Sequence, residues 1–163
     1  MIALDTNILV YAHRTDAPFH SVAKHLVAEQ VEGRATWAIP WPCIHEFLAI
    51  VTRPRVFDPP TPLERALEQV EAWLASPSLL LLSENSAYWA ELRAVLAAGQ
   101  VMGARIHDAR IAALCRSHGV RQLWTADRDF SRFTWLVVRN PLVPDAVHER
   151  PRRYGRHTAR PTP

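Results

Sequence analysis

A chain of 163 residues, 48% of them apolar, is long enough to bury one full core and predicts a single globular domain. Its 19 basic and 16 acidic residues leave a net charge of +3, and no apolar run nears the ~18 residues of a membrane span. Asp5 interrupts any leader-like apolar core at the N-terminus, so a cytoplasmic protein without a signal peptide is expected.

The chain opens on Ile2-Ala3-Leu4, an apolar run too short for a helix, and stops at Asp5-Thr6-Asn7. That reads as a buried strand presenting polar groups at its carboxyl end. Asp5 or Thr6 is equally suited to cap a helix over 8–11. A helix over 20–31 places Val22, Leu26, Val27 and Val31 at helical spacing and closes at Gly33. A second strand is predicted over 36–39. Pro42 then suits the first turn of a helix over 42–52. Thr61-Pro62-Leu63-Glu64 has the spacing of a capping box, starting a helix to about Ala75 that would bury Leu67, Val70, Trp73 and Leu74.

Leu79 to Leu82, four leucines between turn residues, predict a strand covered on both faces. A helix from Asn85 or Ser86 carries Tyr88, Leu92, Val95 and Leu96 on one side and ends at Gly99; another spans 107–118. Strands over 122–125 and 135–138 complete the series. Strands alternating with helices imply an α/β fold of three layers, α/β/α, around a parallel sheet of about five strands. Cys43 and Cys115 lack any CxxC spacing and read as buried structural thiols.

A domain over 1–142 is expected to be followed by a disordered tail over 143–163, rich in proline and arginine. Residues 144–163 hold five arginines and two acids, so the excess charge belongs to the tail. Eighteen of the basic residues are arginine, Lys24 being the lone lysine. Arginine binds phosphate oxygens bidentately, which permits RNA binding without demanding it.

Four acids fall at one edge of the predicted sheet. Asp5 ends the first strand, Glu46 lies early in the helix after the second, and Asp108 begins the helix before the fourth. Asp127 follows that strand, with Asp129 two residues on. Strand C-termini and the N-termini of the following helices share one side of a parallel sheet, where ligand sites collect. Clustered carboxylates repel unless a cation compensates, and hard oxygen donors suit Mg²⁺ or Mn²⁺. Ions held this way serve metal-dependent nucleases. The plainer reading is that Asp5, Glu46 and Asp108 are helix caps or dipole partners.

The sequence resembles the PIN-domain ribonucleases of the VapC toxin type. The matching pieces are Leu4-Asp5-Thr6-Asn7, His45-Glu46-Phe47, Asp108-Ala109 with Ile111-Ala112-Ala113-Leu114, and Thr125-Ala126-Asp127-Arg128-Asp129-Phe130. The likeness runs to Asn140-Pro141-Leu142. It implies a five-stranded parallel sheet, divalent-metal-dependent RNA cleavage, a homodimer, and a small antitoxin as partner. By position it makes Asp5, Glu46 and Asp108 three family acids, with Asp127 the fourth and Asp129 the second candidate. Thr6 and Thr125 resemble residues that orient those acids, and Asn7 suits a supporting role.

Arg14, Arg105, Arg110 and Arg128 lie near these acids in sequence and are candidates for steering phosphates. His45 and His107 each precede an acid; helical neighbours differ by about 100°, so both could point away from the site, and they read as structural or RNA-facing residues rather than metal ligands. Two rival enzyme folds fail on visible residues. A haloacid-dehalogenase phosphatase needs a second Asp where Asn7 stands, and a receiver domain needs a late lysine where Lys24 comes too early. The remaining alternative is a PIN-like module that binds RNA or protein without cutting.

Overall fold

The computed structural model describes residues 1–143, and the expectations for 144–163 lie outside them. Five strands form one wholly parallel sheet: β1 (Ile2–Leu4), β2 (Trp37–Pro40), β3 (Leu79–Leu82), β4 (Gln122–Trp124) and β5 (Val137–Arg139), in the order β3-β2-β1-β4-β5. Ile2 pairs with Trp37 on one side and Gln122 on the other, so the first strand of the chain is the central one. Its Ala3 and Leu4 are fully buried, as a strand covered on both faces requires.

Six α-helices make the crossovers: α1 (Thr6–His13), α2 (His20–Glu32), α3 (Trp41–Val51), α4 (Leu63–Leu74), α5 (Tyr88–Gly99) and α6 (Ile106–Ser117). α1 packs on α2 and α3, and α3 on α4, while α5 packs on α6. The chain runs outward from β1 to β3, then returns to β4 on the other side of β1. Right-handed crossovers therefore set α1–α4 on one face and α5–α6 on the other, giving the three-layer α/β fold. The reversal lies between β1 and β4, where strand ends diverge and leave a crevice. None of the helices among the described residues is long and apolar enough to cross a membrane.

The element order agrees with the sequence reading; several faces do not. β3 is an edge strand rather than one covered on both faces: Leu80 is 38% exposed and only Leu82 is buried. α4 buries Ala66, Val70 and Trp73, while Leu67 and Leu74 stand exposed; its inner face is rotated from the one read off the leucines. α2 likewise turns Ala23 and Val27 inward and leaves Val22 outside. No capping box forms at Thr61. The N-cap of α4 is Pro62, and the Thr61 hydroxyl instead accepts a hydrogen bond from Arg14 Nη1 at 3.1 Å. The last strand begins at Val137, not Trp135, because a turn from Phe133 to Leu136 comes first. Cys43 and Cys115 are free, buried thiols, as expected.

Candidate active site

Asp5 stands where β1 gives way to α1, beside the end of β4. Its backbone is still extended, and its N–H donates to Trp124 O at 3.0 Å in continuation of the sheet. Its carbonyl accepts from Ile8 N–H, which starts α1. Oδ1 accepts from Thr6 N–H at 2.8 Å, so Asp5 is the helix cap as well as the acid at the strand end. Oδ1 also meets Cys43 Sγ at 3.7 Å; Oδ2 accepts from Asn7 Nδ2 and Thr125 Oγ1, each at 2.6 Å. Four donors thus hold both oxygens of a side chain that is 4% exposed.

Burial raises the Asp5 pKa to about 6, against the opposing pull of the Thr125 and Thr6 bonds, and the nearby charge of Glu46 adds to the rise. The Cys43 thiol is pushed well above its ordinary pKa, chiefly by burial and next by Asp5, so it stays a neutral donor.

Thr125 and Asn7 staple the ends of β4 and β1 together. The Thr125 hydroxyl donates to Asp5 and accepts from Asn7 Nδ2 at 2.8 Å and from Asp127 N–H at 2.9 Å. Asn7 Oδ1 accepts from Ala126 N–H at 2.9 Å, which fixes the orientation of its amide. Thr6 serves a different acid: its hydroxyl donates to Glu46 Oε2 at 2.6 Å. The residues read as supports are therefore the partners that hold Asp5 and Glu46 in place.

Asp5, Thr6, Asn7, Glu46, Asp108 and Asp127 all line one cleft of about 610 Å³. Asp108, in the first turn of α6, is half-buried. Its pKa is raised first by burial and then by the charges of Asp127, Asp129 and, more weakly, Glu46, with Arg132 opposing. Acids from four separate segments thus share one electrostatic environment.

Asp127 caps the 3-10 turn Arg128–Arg132 by accepting from Asp129 N–H at 2.8 Å, a turn anchored by buried Phe130. Asp129 faces out, with Oδ2 3.9 Å from Arg105 Nε, and is not part of the cleft wall.

The arginine candidates separate. Arg110 lines the cleft and pairs with Glu84 at 3.0 Å. Arg105 turns to Asp129, and Arg128 is exposed at the start of its turn. Arg14 stands at the opposite end of α1, bonded to Asp16, Pro59 O and Thr61 and stacked over Phe57; its task is to hold the loop before α4.

His45 and His107 both line the cleft, because a concave wall takes in helix positions on either side of an acid. Tyr11, which the sequence reading passed over, lines it too. Its signal was its position one helical turn after Asn7, on the same face of α1.

The donor chemistry fits a hard divalent cation: the acids offer only oxygen, and the Cys43 thiol beside Asp5 is protonated. Among the described residues the acids share a cavity without closing into a preformed group of three ligands. Asp5 is locked, whereas Glu46 and Asp127 are exposed and Asp108 is half-buried, so closure would come from the latter three.

The family model for the PIN domain matches residues 2–136. Ribonuclease VapC48 of Mycobacterium tuberculosis is 32% identical over 138 residues, covering 85% of this chain and 95% of that protein. A solved structure of VapBC2 from Rickettsia felis, bound to a DNA fragment from its promoter, superposes with a TM-score of 0.59. It is 21% identical and covers 85% of this chain and 98% of its own. The structure of Mycobacterium tuberculosis VapC20, a Sarcin-Ricin loop cleaving toxin, has a TM-score of 0.60 at 17% identity, covering 80% and 93%. The solved structures bear on the fold, and the family model and the nearer relative bear on descent. This chain belongs to the PIN-domain family, in its VapC branch.

Proposed function

We propose that this chain is a divalent-metal-dependent endoribonuclease, the toxin of a type II toxin–antitoxin pair. The observation that carries this reading is the convergence of Asp5, Glu46, Asp108 and Asp127 from four segments on one cleft, in a relative of a VapC ribonuclease. Asp5, Asp108, Asp127 and Glu46 would hold Mg²⁺ or Mn²⁺. Such an ion supplies a more acidic water and neutralises charge on phosphate oxygens.

The protein's own part is positioning. Asp5 is fixed by four donors, so it does not have to reorganise when substrate arrives, and the Thr6 hydroxyl orients the exposed Glu46. Arg110 is placed in the cleft wall to meet a phosphate, and Tyr11, His45 and His107 supply ring surface along it. Cytoplasmic RNA as substrate, a cognate antitoxin and a homodimeric assembly complete the reading; the toxin–antitoxin complex VapBC2 supports the second of these.

The test is cleavage of RNA by purified protein with Mn²⁺ or Mg²⁺, with EDTA, and by Asp5→Asn. Cleavage should need the metal and vanish in the variant. Full activity in EDTA would overturn the metal-dependent mechanism.

A further inference from the structure

A second cavity, of about 300 Å³, adjoins the cleft and shares Pro42 and Arg110 with it. Trp41 forms one wall, and Leu82 and Leu114, both fully buried, form an apolar floor. Trp41 opens α3 directly after β2, so this cavity lies at the same sheet edge as Asp5. The Trp41 ring lies 5.8 Å from that of His45 at an interplanar angle of 30°, and His45 lines the main cleft. Flat ring surface therefore runs from one cavity into the other.

Ser83, Glu84 and Arg110 are the polar residues lining the smaller cavity, and of these Glu84 is the acceptor-only group. One of its oxygens accepts from Arg110 Nη2 at 3.0 Å. Both side chains are open to solvent, 54% and 40% exposed, so the pair is screened and contributes little to folding. A carboxylate offers about four lone-pair positions, and further acceptor capacity remains.

An aromatic wall, an apolar floor and an acceptor-only group together match a nucleobase: a π-face to stack and an N–H edge to read. Arg110 stands in both walls, where a phosphate joining the two cavities would pass. We propose that this cavity is a subsite for one unstacked base flanking the phosphate in the cleft, with Trp41 as stacking surface and Glu84 as selector for guanine. Guanine sets N1–H and N2–H side by side, matching two carboxylate oxygens. Uracil offers one N–H between two carbonyls that repel them. This assignment rests on the RNA-cleaving reading of the adjoining cleft.

The full chain is titrated with 5′-GMP and 5′-UMP in EDTA, which separates binding from turnover. GMP should bind at least fivefold more tightly than UMP, and Glu84→Gln should remove the preference. Trp41→Ala should weaken both nucleotides roughly tenfold, and Trp41→Phe should recover most of the loss. Glu84→Gln changes an exposed side chain and keeps the test valid if Trp41→Ala fails to fold. Equal affinities for the two nucleotides, or a preference unchanged in Glu84→Gln, would overturn the subsite.

Mapping Mn²⁺-dependent cleavage on RNAs that vary the flanking base separates the two readings. Guanine-directed cutting that relaxes in Glu84→Gln supports both. Cutting with the same base pattern in Glu84→Gln discards the subsite and keeps the nuclease. GMP-selective binding by a protein that cleaves no RNA keeps the subsite and discards the nuclease.

Discussion

With one oxygen taken by the Thr6 N–H and the Cys43 thiol and the other by Asn7 and Thr125, Asp5 cannot rotate without breaking bonds at two strand ends. Its folded carboxyl titrates near pH 6 against an ordinary 3.8, a cost on the order of 3 kcal/mol to the metal-free fold at neutral pH. The folded state therefore holds more protons between those values, and stability falls as pH rises through that window. Denaturant unfolding in EDTA from pH 3.5 to 7 should show this decline in the native protein and a flatter profile in Asp5→Asn. At pH 7 the variant should melt no lower than the parent while failing to cleave RNA. Asp127 and Asp129 differ by placement in the cleft wall. Asparagine caps a turn as well as aspartate, so Asp127→Asn should keep the 3-10 turn yet reduce cleavage more than tenfold, about 1.4 kcal/mol of transition-state stabilisation. Asp129→Asn should do less. The reverse order, at equal melting temperatures, would transfer the role to Asp129.

At the scale of elements, the acids Asp5, Glu46 and Asp108 lie at or near the starts of α1, α3 and α6, while Tyr11 and Ile50 bring later turns of α1 and α3 into the cleft wall. Arg14 closes the far end of α1 and ties the loop before α4 through Pro59 O and Thr61. Arg14→Ala leaves those acceptors to water and frees the Phe57 ring, so stability should drop by about 1–2 kcal/mol. The kcat for RNA should stay unchanged, because no cleft residue is touched. A large fall in kcat, measured well below the melting temperature, would show that the loop reaches the site. Thr61 illustrates how a local motif yields to a remote partner: its hydroxyl suits a capping box, but its N–H is held by Val51 O and its oxygen by Arg14.

At the scale of the molecule, two expectations concern binding at the cleft and the basic tail. A cation held by these acids would bind only the folded chain, so Mn²⁺ at a hundred times its Kd should stabilise the protein by about 2.7 kcal/mol. A melting curve unmoved by Mn²⁺, or moved equally in Asp5→Asn, would place the ion elsewhere. Leu142, 5% exposed, packs into the core, and the five arginines of 144–163 lie beyond it. Truncation after Leu142 should keep the fold and weaken RNA affinity. The logarithmic salt slope should fall by about 0.7 for each phosphate that an arginine of the tail no longer neutralises. Loss of folded protein on truncation would show that the tail packs against the body.

Strand and helix order was readable because its signals are local. An apolar run ended by Asp5, a proline at the head of α3 and four leucines between turns each name an element without reference to the rest. A parallel sheet then sends every strand end to one edge, which is why Asp5, Glu46, Asp108 and Asp127 group together from the sequence alone. Rotations about helix axes were not readable. The sets 66/70/73 and 67/70/73/74 are both helical stripes on α4, and only packing against α3 selects Ala66 over Leu67 and Leu74. The same ambiguity left His45 and His107 open between a structural and an RNA-facing place, because their position in the cleft depends on how three helices meet. Leu80 stands exposed against expectation because nothing in four leucines says that β3 lies at the sheet edge. Periodicity specifies a surface up to a turn of about 100° per residue, and hydrogen-bond choice is settled by whichever partner the packing brings near.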